Sequence, residues 1–113
     1  MRRVTFVVLL LGLFNAAAAY AQGAAVERGM KVFGEAKCSM CHSVAGKGNA
    51  KGVLDDVGAK LTADEIRQWI VDPQAMRDKT HAERKPPMKS YASLPKQDLD
   101  ALVAYLQPLK AKK

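Results

Sequence analysis

The chain has few residues that bind metals through sulfur or imidazole. Its 113 residues include only two cysteines and two histidines. A zinc site beside the cysteines would need two further Cys or His ligands at suitable spacing, and an iron–sulfur cluster usually needs four cysteines. Both fail on ligand count. A dithiol redox site would need a neighbouring strand–helix–strand pattern, which the sequence also lacks.

A basic cluster and a long apolar run are missing too. Basic residues outnumber acidic ones by 18 to 11, but they are scattered and match no nucleic-acid-binding module. We therefore expect no nucleic acid partner. The most apolar run, Val4 to Phe14, is shorter than the roughly 20 residues of a membrane-spanning helix.

The cysteines and one histidine stand together in the stretch Cys38-Ser39-Met40-Cys41-His42. This is the attachment pattern of a c-type haem. Two thiols one tight turn apart can add to the two vinyl groups of the porphyrin, and the adjacent imidazole then lies under the iron. The pattern predicts one covalently attached haem c, held by Cys38 and Cys41, with His42 as an axial ligand of the iron.

The N-terminus has the three parts of a secretory signal peptide. Arg2 and Arg3 precede the apolar run, and small residues lead to Ala19-Tyr20-Ala21, an A-x-A cleavage site. We expect residues 1–21 to be removed and residues 22–113 to form a single domain in the periplasm or another extracytoplasmic space. An uncleaved membrane anchor is the alternative. If residues 1–21 are removed, no stable membrane insertion is expected.

Three stretches have the apolar spacing of helices. The first runs from Ala24 to about Ala36, and its Gly29 lets another helix approach closely. The second begins after Thr62, which forms a capping box with Glu65, and ends at Asp72-Pro73. The third follows Pro95 and stops at Pro108.

The glycine-rich stretch from Ser43 to Gly58 is predicted to be a loop over the haem rather than a strand or helix. Its apolar pair, Val53 and Leu54, is expected to turn inward against the porphyrin, where a backbone carbonyl would hold the second nitrogen of His42. Trp69 is either core filler or the donor of a hydrogen bond to a haem propionate.

The segment from Pro73 to Leu94 has no clear period and carries the candidates for the second axial ligand. Met88 is favoured because Pro86 and Pro87 stiffen the backbone just before it. His81, which is expected to face water, Met76 and an open site are the alternatives. Met30 is assigned to core packing.

Taken in order, residues 24–109 resemble a class I monohaem cytochrome c. The resemblance implies an all-α cytochrome c fold, with three main helices and loops around one covalently bound haem. It also implies that the first and last helices cross at nearly a right angle, and that His42 and Met88 are the axial ligands. The residues that carry it are Gly29, Val32, Phe33, Cys38–His42, Gly52, Val53, Leu54, Trp69, Pro87, Met88, Leu102, Tyr105 and Leu106.

One departure from the family lies beside the proximal histidine. The family commonly has a proline after the glycine, and a carbonyl there holds the histidine. This chain has Val53. A carbonyl survives any substitution, so we expect the hydrogen bond to persist on a less rigid backbone.

An iron with both axial positions filled by protein has no site for substrate, and thioether ligation favours its reduced form. The expected function is therefore single-electron transfer between redox enzymes, not catalysis. A dedicated haem subunit of a larger oxidase, reductase or dehydrogenase complex is an alternative. A ligand-binding or sensing haem protein, or a weak peroxidase, would require Met88 to be absent from the iron.

The predicted mature chain is basic. Without Arg2 and Arg3 it has 16 basic residues against 11 acidic ones, a net charge of +5. We expect a monomer whose redox partners present acidic docking surfaces. An ordinary solvated surface is the alternative. The basic residues on both sides of the haem segments are Lys37, Lys47, Lys51, Lys60, Arg84, Lys85 and Lys89.

Overall fold

The computed structural model describes the backbone of residues 2–111 and the side chains of residues 18–111. The chain is mostly helical, which confirms the predicted all-α class. Two short strands pair antiparallel, with Ser43 opposite Gly48 and Val44 opposite Lys47. In chain order the elements are α1 (Arg2–Glu35), β1 (Ser43–Val44), β2 (Lys47–Gly48), α2 (Val57–Lys60), α3 (Ala63–Val71), α4 (Pro73–Thr80) and α5 (Lys96–Leu106).

The core lies between α1, α3 and α5. Phe33 of α1 meets Tyr105 of α5 edge to face, with ring centroids 5.8 Å apart. At the margin of the same helix pair, Arg28 donates to Asp98 over 2.7 Å. That ion pair is partly exposed, so the apolar contacts stabilise the pair of helices more. The buried residues of the core cluster are Val32, Phe33, Val44, Ile66, Ile70, Leu102, Val103 and Leu106.

Gly29 lets α1 and α5 meet backbone to backbone. A Cβ atom at this position would overlap the Ala101 carbonyl and the Tyr105 Cβ. Glycine is therefore required by close approach, and its conformational freedom is not used. The prediction that Gly29 admits a neighbouring helix is confirmed, and the neighbour is α5.

Helix α1 begins much earlier than the predicted start at Ala24. It runs unbroken from Arg2, through the region assigned to the signal segment. No proline separates the two stretches, and the alanines between them favour helix. The side chains of Arg2, Arg3 and the apolar run lie outside the described side chains, so the signal prediction stays a prediction. Among the described residues, no helix is long and apolar enough to cross a membrane.

Two segments predicted to be irregular contain regular structure. The stretch from Ser43 to Gly58 holds β1, β2, a 3-10 turn at Ala50–Gly52 and the start of α2. The stretch after Asp72 begins with α4, because the Asp72 side chain accepts from the Ala75 N–H and Pro73 suits the first turn. Asp72-Pro73 therefore ends one helix and starts the next.

The α1–α5 contact generates a stability prediction. Gly29→Ala should lower the free energy of unfolding of the haem-loaded protein by about 1–3 kcal/mol, because the added methyl has no space. Gly34→Ala is the matched control, since a Cβ there meets nothing within 4 Å. We expect Gly34→Ala to be neutral or stabilising by up to about 1 kcal/mol. Guanidinium titration checks both variants, and equal effects would contradict the close-packing argument.

Candidate functional site

The CxxCH segment follows α1 in a set of tight turns. Lys37 adopts a left-handed backbone with φ 59°, and a 3-10 turn spans Cys38–Met40. The His42 N–H then donates to the Cys38 carbonyl over 2.9 Å. Both cysteines and His42 border one cavity, and neither cysteine forms a disulfide. Burial raises the pKa of the Cys38 thiol.

The His42 ring is held by a backbone carbonyl. Its Nδ1 lies 3.1 Å from the Gly52 carbonyl oxygen, so Nδ1–H donates and Nε2 keeps a free lone pair. The expected carbonyl bond is thus present in spite of Val53. Burial lowers the pKa of His42, which favours the neutral imidazole that binds metals. A Cβ on Gly52 would overlap the Cys41 carbonyl, so this position needs glycine.

Asn49 supports the same segment and was not among the predicted site residues. Its backbone N–H lies 3.1 Å from the carbonyls of both Ser39 and His42. Its side-chain amide donates to the Met40 carbonyl, also over 3.1 Å. An asparagine in a glycine-rich loop is a known signal for such local side-chain-to-backbone bonds. This sequence signal does not indicate which carbonyls the asparagine binds.

His42 and Met88 face the same apolar cleft. The space within it, including the part open to solvent, is about 670 Å³. The cleft is lined by Phe33, Cys38, His42, Leu54, Val57, Leu61, Ile66, Trp69, Ile70, Met88, Tyr91, Leu102 and Leu106.

Val53 and Leu54 do not share one environment. Leu54 lines the cleft, whereas Val53 is 53% exposed and is not part of the lining. The prediction that both turn inward is therefore wrong for Val53. The backbone is extended at Val53, so neighbouring side chains point in opposite directions. Trp69 lines the cleft as well as a second cavity beside it.

The Met88 loop, residues 81–95 between α4 and α5, is held by hydrogen bonds to α3 and α4. Arg77 of α4 donates to the Met88 carbonyl over 3.0 Å. The Tyr91 N–H donates to the Ile70 carbonyl over 2.8 Å, and the Ser90 hydroxyl to the Val71 carbonyl over 2.6 Å. These bonds fix the backbone at Met88 and in the three residues after it. Tyr91 itself lines the cleft, and burial raises its pKa.

The other ligand candidates lie elsewhere. Met76 is 2% exposed and packs in the interior without lining the cleft. His81 is exposed at the end of α4, as predicted. Met30 is 56% exposed, so its assignment to core packing is wrong. Its spacing in α1 fits the apolar pattern, but its side chain is not covered by the rest of the described chain.

A family model for cytochrome c matches residues 26–110. The chain belongs to the cytochrome c family. A protein described as cytochrome c oxidase subunit 2, from Alkalihalophilus pseudofirmus, is 30% identical over 92 residues. That match covers 74% of this chain and 25% of the relative, so the chain spans about a quarter of the length of the curated relative it matches. No solved structure matches the chain significantly.

The cofactor of this cytochrome c is covalently attached haem c with iron. The site fits that group on its own chemistry. The cleft is almost wholly apolar, as a porphyrin requires, and Cys38 borders it with a free thiol. One imidazole and one thioether, the donors of a His/Met haem site, line it as well.

The Val53 backbone generates a prediction about the proximal side. Its φ of −65° matches the value that a proline ring imposes. Within the described residues, its N–H makes no backbone hydrogen bond; the Leu54 N–H donates to Ser43 instead. Val53→Pro should therefore stabilise the haem-loaded protein by about 0.4–1 kcal/mol in denaturant unfolding, since the unfolded chain loses freedom.

Ala45→Pro is the matched control for that prediction. Ala45 is exposed in the same loop, but its φ is 52° and its N–H donates to Asp55 over 2.8 Å. Proline there should destabilise the protein by about 3 kcal/mol or more. A loss of stability in Val53→Pro comparable to that in Ala45→Pro would disprove the reasoning about the proximal backbone.

Proposed function

We propose that this cytochrome c is an exported monohaem carrier of single electrons, with His42 and Met88 as the axial ligands of the iron. The observation that carries the proposal is that these two side chains line one apolar cleft. When bound, the haem supplies an iron that alternates between two oxidation states. The chain's residues bind it, orient it and keep water from it, and no side chain takes part in a chemical conversion.

The residues around the proposed ligands have separate roles. Cys38 and Cys41 would hold the haem covalently, and the Gly52 carbonyl would orient His42. Leu54 packs at the cleft wall, which supports a contact with the porphyrin. Trp69 borders both the cleft and the second cavity, a position that suits an indole N–H donating to a propionate.

The partners in this proposal are redox proteins with acidic docking surfaces. Lys37 and Lys89 lie at an opening beside the cleft together with Cys41, Pro86 and Pro87. Two cations at the rim would attract a negatively charged surface, and the attraction would weaken as salt rises. Lys60 supports docking less, because it pairs with Asp56 over 3.3 Å.

The second candidate function is a haem domain that works inside a larger complex. The similarity to a protein described as cytochrome c oxidase subunit 2 favours it. The same haem ligands and the same cleft would serve either role, since both need only electron transfer. The two proposals differ in whether the domain leaves its partner.

Replacing Met88 tests the proposed axial ligand. Met88→Ala should abolish the thioether-to-iron absorption band of the oxidised protein, lower the reduction potential and allow carbon monoxide to bind the reduced protein. Met30→Ala is the control, because Met30 is exposed and lies outside the cleft. Optical spectra of both redox states decide the question. Retention of the thioether band in Met88→Ala, or rapid carbon monoxide binding by wild type, would refute Met88 as ligand.

Native isolation tests export and independence together. We expect to find the haem-loaded protein in the periplasmic extract. Its mass should correspond to a chain that begins at Gln22, and it should elute as a monomer in size-exclusion chromatography. Recovery from membranes with residues 1–21 intact would establish an anchor instead. Co-elution with a large oxidase or dehydrogenase would favour the complex-subunit proposal over the free carrier.

A further inference from the structure

Arg84 is the side chain of the Met88 loop that reaches the haem-attachment segment. Its guanidinium donates to the Cys41 carbonyl over 2.7 Å, between residues 43 positions apart in the chain. The guanidinium also lies against Gly52, where a Cβ would overlap it. Cys41 precedes His42 directly, and Gly52 supplies the carbonyl that holds the imidazole. Arg84 thus contacts both backbone supports of the proximal ligand.

Arg84 also borders the second cavity. That cavity lies between the two sides of the site, and its lining includes His42, Trp69, Arg77 and Met88. An arginine guanidinium stays protonated in proteins, so its positive charge is permanent. The position therefore combines a mechanical contact with a fixed charge next to the imidazole. The arrangement has no local sequence signal, and Arg84 was expected only to belong to a basic surface.

We propose that Arg84 is a positioning residue that ties the Met88 loop to the attachment segment and places a permanent positive charge beside His42. The inference rests on the proposed function, since it takes His42 and Met88 as the two axial ligands. The tie keeps the loop closed, so Met88 is displaced from the iron less easily. The charge disfavours the oxidised haem, which carries one more positive charge than the reduced haem.

The test uses the haem-loaded protein and two readouts, the reduction potential and the affinity of the oxidised protein for imidazole. Imidazole has to displace Met88, so its affinity reports how easily the loop opens. Arg84→Gln should raise that affinity roughly threefold to tenfold, the range of one lost hydrogen bond. It should also lower the equilibrium constant for reduction by about threefold, or about 28 mV at 59 mV per tenfold.

Lys85→Gln is the matched control. It removes the same charge from the next residue, which is also exposed. We expect it to change both readouts by less than about 1.5-fold, because Lys85, unlike Arg84, neither borders the second cavity nor donates to the Cys41 carbonyl. The proposal is overturned if either readout of Arg84→Gln equals that of Lys85→Gln.

Arg84→Lys separates the effect of the contact with the attachment segment from the effect of the charge. It also replaces Arg84→Gln as the test if that variant fails to incorporate haem. Lysine keeps the charge but lacks the fork that reaches two backbone sites. The variant should retain the wild-type potential and bind imidazole more tightly than wild type. Wild-type imidazole affinity in Arg84→Lys, or a potential lowered as in Arg84→Gln, would reject the inference. A wild-type protein without the thioether band would instead reject Met88 ligation itself.

Discussion

The approach of α1 to α5 at Gly29 is the constraint on which the haem site depends. With no side chain at that position, the α1 backbone reaches the Ala101 carbonyl of α5. The haem-attachment segment, Cys38–His42, lies just after the C-terminal end of α1. The approach of the two helices therefore places it beside the part of the cleft that Leu102 and Leu106 of α5 line. Pairing two helices separated by residues 36–95 costs loop-closure entropy. The apolar area that they bury together offsets this cost.

The proximal side is built from backbone carbonyls rather than side chains. Gly52 holds the imidazole, and Asn49 in turn holds the carbonyl of His42. A carbonyl can support the ring only if the chain passes very close to it, which explains Gly48 and Gly52. Gly48 has φ 112°, and a Cβ there would overlap the His42 carbonyl. The stretch therefore looks unstructured in sequence because its geometry excludes side chains, not because it is loose.

Local signals predicted the parts of the fold whose partners are close in sequence. The capping box of Thr62 and Glu65 is present on both arms, and α5 follows the predicted apolar spacing. Asp72-Pro73 predicted only the end of a helix, because a proline that ends one helix and a proline in the first turn of the next look the same in the sequence. Met30 and Val53 misled for a different reason. Apolar character, alone at Val53 and with helical spacing at Met30, marks residues that can be buried, but only the tertiary partner decides which of them are.

The two sides of the haem site also differ in how their restraints are distributed. On the proximal side, the covalent attachment characteristic of the family and the bonds made by Asn49 and Gly52 lie between Cys38 and Gly52, and Arg84 adds one bond from outside this stretch. Met88 lies in an irregular stretch between α4 and α5, held by scattered bonds such as those from Arg77 and Ser90. Exposed segments with few backbone bonds open at low free energy. In the proposed His42/Met88 ligation, loss of an axial ligand should therefore begin at Met88, and the stability of its loop, more than that of the core, would set how long the iron stays closed to other ligands.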